Sequence, residues 1–303
     1  MISYQPTPIV RIELPEANRA GVHLWIKRED LNHPFATGNK WWKLKYNLDQ
    51  AKRAGHATLL TFGGAYSNHI FATAAAAAEA GFQSIGVIRG EDVEPRNPTL
   101  QFATECGMRL HFITRTDYRR KDHAVMTRDL RDRFGDFYLI PEGGSNQDGV
   151  RGCVEFAHML TREAEFDHLI LPVGTGATMA GLICGLEGAK HITGISVLRN
   201  GGFLNEDISA FARNYSGADY GNWQLLTSYD HGGYARVTDE LLRFIVMMQD
   251  RHNLPLDPVY TGKMMWAVAR EIERGHFARG STVLLIHTGG LQGRGSVAGI
   301  SQA

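Results

Sequence analysis

The chain has 303 residues, 43% hydrophobic and 21% charged, with 32 basic residues balanced by 32 acidic ones. That size admits one large α/β unit or two lobes around a cleft, and the composition is that of a folded soluble enzyme, which excludes long disorder. Zero net charge gives no general field for nucleic acid or an anionic membrane, no apolar run approaches the ~20 residues of a bilayer span, and the N-terminus lacks a basic-then-apolar signal; a cytoplasmic location is expected.

In chain order, residues 22–27 (VHLWIK) predict a strand, 28–38 a loop, and NKWWKLKYNLDQAKRAG a helix closed by Gly55. Short β-rich runs follow at 57–62 (ATLLTF), 84–88 (SIGVI), 109–114 (RLHFIT), 137–140 (FYLI) and 168–173 (HLILPV), mostly separated by helical segments. Further strands are predicted at 192–198, 223–227 and 282–287, with amphipathic helices near 238–252 and 262–275. Repeated βα units imply a largely parallel sheet, and so many strands exceed one comfortable open sheet. The predicted fold is therefore α/β, with two doubly wound open-sheet domains, a cleft between them and ligand groups at strand C-termini. Cys106, Cys153 and Cys184 form no CxxC pair and read as reduced core thiols.

Three small-residue loops carry the candidate chemistry. Lys40 follows a Gly-Asn turn at a helix start, where the helix dipole lowers an amine's pKa and favours attack on an aldehyde. Spacing alone does not separate it from solvated helix lysines such as Lys43 and Lys45. In TFGGAYSNHIF, Gly63-Gly64 allows close backbone approach, and Ser67 and Asn68 offer either an N-cap or carboxylate recognition; His69 lacks metal-ligand spacing to another histidine, so no metal is expected. In LILPVGTGATMAG, the loop Gly174-Thr175-Gly176-Ala177-Thr178 aims backbone donors and hydroxyls at one point of phosphate size. That loop is also part of a dinucleotide fingerprint, spoiled by Met179 at the third glycine position and by Arg199 where an acidic residue belongs. An NADP-linked oxidoreductase stays open on this motif alone. No GxxxxGK[ST], HExxH or GxSxG pattern occurs.

Taken together, IKREDLNHPFATGNKWWKL, TFGGAYSNH, PEGGSN, LPVGTGATMAGL, DPVYTGK and IHTGG resemble, in order and spacing over nearly the whole chain, the 1-aminocyclopropane-1-carboxylate deaminase and D-cysteine desulfhydrase family. The resemblance implies pyridoxal 5'-phosphate as cofactor and the tryptophan-synthase β-type fold, with residues 1–43 and 143–303 forming a large domain and 44–142 a small one. It implies Lys40 as the Schiff-base lysine, Lys43 near the phosphate, Asn68 beside the ring's phenolic oxygen, and Gly174 to Thr178 as the phosphate loop. Ser67, Asn68 and His69 would bind the substrate carboxylate, and Tyr234 and Tyr260 would act on the substrate side. A homodimer acting on a small amino acid is implied as well.

The family's deaminases carry glutamate after the tyrosine of PVY and leucine in HxGG; this chain has Thr261 and Thr288, as in the desulfhydrases. A glutamate beside the pyridine nitrogen favours its protonation and a strong electron sink, whereas a neutral threonine supplies a hydrogen bond only. The expectation is β-elimination from D-cysteine to pyruvate, sulfide and ammonia, with deamination of 1-aminocyclopropane-1-carboxylate to 2-oxobutanoate as the alternative. A non-catalytic binding protein on this scaffold is the third possibility, opposed by the intact set Lys40, Ser67, Asn68 and Tyr260. Trp41-Trp42 beside the lysine and Leu291-Gln292 after HTGG depart from the family pattern; the two indoles either reshape the pocket or pack into the interior.

Overall fold

A computed structural model describes residues 2–296. In chain order the elements are β1 (Ile9–Arg11), α1 (Pro15–Ala20), β2 (His23–Lys27), α2 (Asn39–Arg53), β3 (Thr58–Gly64), α3 (Asn68–Ala80), β4 (Gln83–Arg89), α4 (Pro98–Glu105), β5 (Met108–Ile113), α5 (Arg115–Tyr118), α6 (Ala124–Phe134) and β6 (Tyr138–Ile140). There follow α7 (Gln147–Glu163), β7 (His168–Val173), α8 (Ala177–Leu186), β8 (His191–Ser196), α9 (Leu204–Ser216), β9 (Trp223–Leu226), α10 (Asp239–His252), α11 (Thr261–Glu273) and β10 (Thr282–Ile286). The six-stranded sheet runs β1-β2-β10-β7-β8-β9 and the four-stranded sheet runs β5-β4-β3-β6. Apart from β1, which pairs antiparallel with β2, every pairing is parallel. The chain thus leaves the first sheet after β2, builds the second, and returns at β7, so that strands from both ends of the sequence lie side by side.

Burial on both faces explains why the strands read as unbroken apolar runs. On β7, Leu169, Leu171 and Val173 pack with residues of α7 and α8, while Ile170 points the other way into the core under α10 and α11. On β10, Leu284 and Ile286 take the first side and Val283 and Leu285 the second, the period-2 alternation of a strand. The small sheet repeats this: Leu60, Phe62, Ile85 and Val87 pack toward α5 and α6, and Ile88 joins Ile70, Ala74 and Leu100 toward α3 and α4. Two doubly wound α/β units are the result. β1 and α1 escape the sequence periodicity because a three-residue strand and a six-residue helix are too short to show a pattern. Cys153 and Cys184 are buried, Cys106 is partly exposed, and all three are free. Among the described residues no helix is long and apolar enough to cross a membrane.

Candidate active site

The C-terminal ends of β3, β4, β6, β7 and β10 converge on one cavity of about 630 Å³, the size of a small-ligand pocket. Lys40 enters it from the first turn of α2. The turn before it is fixed from two directions. Gly38 has φ 68°, and a Cβ there would overlap the Thr288 carbonyl, so only glycine fits. Its N–H donates to Asn32 Oδ1 and to the Glu29 carbonyl, both at 2.9 Å, and its carbonyl accepts from Asn32 Nδ2 at 3.1 Å. Asn39 then ties the start of α2 to that of α8, Nδ2 donating to Thr178 Oγ1 at 2.9 Å, while its Oδ1 accepts from Lys40 Nζ at 3.2 Å. Burial lowers the Lys40 pKa to about 8, with Cys153 and Asp257 acting in the opposite direction.

One turn on, Lys43 is 1% exposed and lies just behind the cavity wall, its Nζ donating to Ser145 Oγ (3.2 Å) and Thr175 Oγ1 (3.3 Å). Burial, reinforced by the charge of Lys40, lowers its pKa to about 7. Neither amine has a carboxylate within ion-pair distance among the described residues. Beside them runs the loop from β7 to α8. Gly174, Thr175, Gly176 and Thr178 line the cavity, and Ala177 lies buried in the first turn of α8, behind it. Gly176 caps this helix at φ 85° and no side chain satisfies its first N–H groups. Gly174 has no room for a Cβ, which would come 3.1 Å from the Tyr260 ring.

Across from Lys40 stands the start of α3. Ser67 Oγ accepts the N–H groups of His69 (3.2 Å) and Ile70 (3.3 Å), which leaves its hydroxyl hydrogen for a ligand. Asn68 Oδ1 accepts from Gln292 Nε2, which leaves the Asn68 NH2 as a donor. His69 behaves differently from the sequence expectation. Thr61 donates its hydroxyl hydrogen to the Ile140 carbonyl at 2.8 Å, so His69 Nε2, 2.8 Å from Thr61 Oγ1, must be the protonated nitrogen. Its Nδ1 is a bare acceptor, buried and without a partner, and burial, followed by the charges of Lys40 and Lys43, holds the ring neutral with a pKa well below the usual histidine value. Such an imidazole cannot donate to a carboxylate, whereas the Ser67 hydroxyl hydrogen is free to.

Tyr234 stands at the mouth and Tyr260 deeper, their rings edge to face at 6.1 Å. Burial raises both phenol pKa values, that of Tyr260 well above the ordinary value, so both remain protonated donors at neutral pH. Thr288 lines the cavity but Thr261 does not: it is fully buried, with Oγ1 donating to Asp257 Oδ1 at 2.7 Å and accepting from the Asp257 N–H at 2.9 Å. The cavity wall here is Asp257, whose carboxylate also accepts the N–H groups of Val259, Tyr260 and Thr261. The threonine is thus not a lone neutral group, because its hydroxyl donates to a carboxylate that itself lines the cavity. Asp ahead of a helical run is an N-cap signal, and that pattern could have singled out Asp257 from the sequence. Arg89 and Glu142, also on the wall, carry a weaker signal, a charged residue closing an apolar strand run. The indoles do not shape the pocket. Trp41 Nε1 donates to the Ser3 carbonyl and Trp42 Nε1 to Glu29 Oε2, both at 2.7 Å, and Trp42 stacks on Phe156. Leu291 lies off the wall, and Gln292 acts through Asn68.

This donor set fits a phosphate-bearing aldehyde. Two buried amines of lowered pKa, two hydroxyls and an uncapped helix start concentrate positive potential that a phosphate would balance. A sequence profile of the family described as "Pyridoxal-phosphate dependent enzyme" matches residues 2–289. A putative 1-aminocyclopropane-1-carboxylate deaminase of Pyrococcus horikoshii is 30% identical, the match covering 92% of this chain and 88% of that one. The bifunctional D-cysteine desulfhydrase/1-aminocyclopropane-1-carboxylate deaminase of Arabidopsis thaliana mitochondria is 29% identical, over 96% of this chain and 78% of that one. The crystal structure of an ACC deaminase homologue superposes with a TM-score of 0.83 at 29% identity, covering 95% of this chain and 90% of that one. With cradle, lysine and profile in agreement, the chain belongs to the pyridoxal-phosphate dependent enzymes, in the 1-aminocyclopropane-1-carboxylate deaminase and D-cysteine desulfhydrase family.

Proposed function

We propose that the chain eliminates the β-substituent of a small amino acid, converting D-cysteine and one water to pyruvate, sulfide and ammonia. The observation that carries this reading is Lys40: an amine with its pKa near 8 on the cavity wall, between an anion cradle and a helix start that offers donors. Bound in the cradle, pyridoxal phosphate supplies an electron sink that acidifies the α-carbon of an amino acid. The remaining work falls to side chains. Lys43, Thr175 and the first turn of α8 would hold the phosphate, and the Asn68 NH2 would donate to the phenolic oxygen. The Ser67 hydroxyl and the start of α3 would hold the substrate carboxylate. With a proton affinity near neutrality, Lys40 is suited to take the α-proton and to return one. Tyr260 and Tyr234, protonated at neutral pH, are suited to donate to the departing sulfur.

Ring opening of 1-aminocyclopropane-1-carboxylate to 2-oxobutanoate and ammonia is the second reading, and one observation favours it. The Asp257 carboxylate, on the cavity wall in front of Thr261, adds negative charge that the threonine alone lacks, which supports deaminase chemistry without a glutamate at 261. The family resemblance further supports a homodimer with residues 44–142 as the small domain. The test is direct: a visible absorption band that borohydride bleaches and fixes on Lys40, then a panel of D-cysteine, L-cysteine and 1-aminocyclopropane-1-carboxylate scored for sulfide and 2-oxo acid. Turnover of the cyclopropane with none of D-cysteine would overturn the first reading in favour of the second. A protein that takes up no cofactor would end both.

A further inference from the structure

One wall of the cavity is built by the small sheet. Arg89, the last residue of β4, pairs in register with Gly64, the last residue of β3, three positions before Ser67. Its guanidinium lies along the open face of Gly64, where a Cβ would stand 3.3 Å from Nη2, and it rests over the Tyr118 ring with Cζ 5.5 Å from the centroid. It is solvent-exposed on the cavity wall, against the Tyr118 ring on one side, and no carboxylate pairs with it among the described residues. The other charge on this wall, Glu142, lies 3.5 Å from Lys121, which also pairs with Asp122 at 3.1 Å. Opposite stands Tyr234, whose phenol senses the positive charge of Arg89. The α-carboxylate of a substrate has its own donors at Ser67 and the start of α3. A guanidinium on the cavity wall without a carboxylate partner therefore offers a place for a second anion, on the part of the ligand that points away from the lysine.

We propose that Arg89 selects amino acids whose β-substituent ends in a carboxylate over neutral ones of the same shape. The inference rests on reading the cavity as an amino-acid site, but not on which bond is broken there. The matched probes are S-carboxymethylcysteine and S-carbamoylmethylcysteine, in both enantiomers, which differ by carboxylate against carboxamide. Binding to the cofactor-loaded protein is measured by calorimetry and turnover by 2-oxo acid release. The carboxylate is expected to bind roughly two- to fivefold more tightly, the range of one solvent-exposed ion pair, with the ratio shrinking in high salt. Arg89→Gln should bring the ratio close to one and Arg89→Lys should keep part of it, because an ammonium retains the charge without the fork. A wild-type ratio near one, or no measurable binding of the carboxylate, overturns the proposal. So does an Arg89→Gln variant that weakens both probes equally, since that assigns Arg89 to the α-carboxylate. If the ratio holds but neither probe is turned over, Arg89 still stands as the selector of binding, and the elimination reading is decided separately by turnover of D-cysteine.

Discussion

Helix α2 carries members of two buried charged clusters, and they are built on opposite plans. Around Glu29, fully buried, the accounts close. Oε1 accepts from Thr7 Oγ1 (2.6 Å) and the Tyr4 hydroxyl (3.2 Å), and Oε2 accepts from Trp42 Nε1 (2.7 Å) and Asn32 Nδ2 (2.9 Å). Buried Lys27 lies 3.9 Å away and is itself bonded to Glu163 and the Thr7 carbonyl. By contrast, Lys40 faces the Asn39 amide oxygen and Lys43 two hydroxyls beside a bare helix start, with no ion-pair partner among the described residues. Burial without local compensation is unfavourable for folding, and it persists where a ligand brings the missing charge. The first cluster is architecture, holding the Gly38 turn through Asn32; the second is a receptor.

Breaking the receptor should spare the fold, and breaking the architecture should not. Lys40→Ala is expected to lower kcat by ~10³-fold or more on any substrate while the thermal midpoint holds, measured by 2-oxo acid release beside a melting curve. Unchanged turnover would point to the nicotinamide chemistry that the Gly174 loop alone allowed. Glu29→Ala strips the acceptor from four donors and should cost about 3–5 kcal/mol in denaturant unfolding, with cofactor uptake falling because the Gly38 turn is released. Lys43→Met sharpens the contrast, because two properties should move in opposite directions. The cofactor-free protein should gain about 2 kcal/mol as an uncompensated charge leaves the interior, while affinity for the cofactor falls roughly ten- to a hundredfold.

The same contrast explains what the sequence revealed. Strands such as 168–173 and 282–287 were legible because both faces are buried and the apolar run is continuous; β1 was not, being three residues on an edge. The loop at 174–178 was legible as the turn from strand to helix, and the structure puts Gly174, Thr175, Gly176 and Thr178 on the cavity wall. What the sequence could not show was direction. His69 looked like a carboxylate ligand until Thr61, eight residues earlier, fixed its tautomer, and Thr261 looked like a wall residue until its hydroxyl proved committed to Asp257. Arg89 gained a role only when β4 was placed beside β3, since spacing does not tell which charged residue lacks a partner.

The smallest effect tests the receptor cluster by titration. In the unfolded chain a lysine titrates near 10.5, while in the cofactor-free fold Lys40 and Lys43 titrate near about 8 and about 7. Between those values the unfolded state holds more protons than the folded one, so the contribution of these groups to stability rises with pH. Below pH 7 both lysines are charged in both states and the burial penalty is complete; it is relieved as pH climbs through the folded values. The stability advantage of Lys43→Met should therefore narrow by about 1 kcal/mol between pH 7 and 8, taken as the difference between the two proteins so that other groups cancel. Saturating inorganic phosphate should flatten that slope in the wild type, because an anion in the cradle restores the ordinary pKa of Lys43. Parallel pH profiles for wild type and variant would show that the amine is already compensated, and the distinction between the two clusters would collapse.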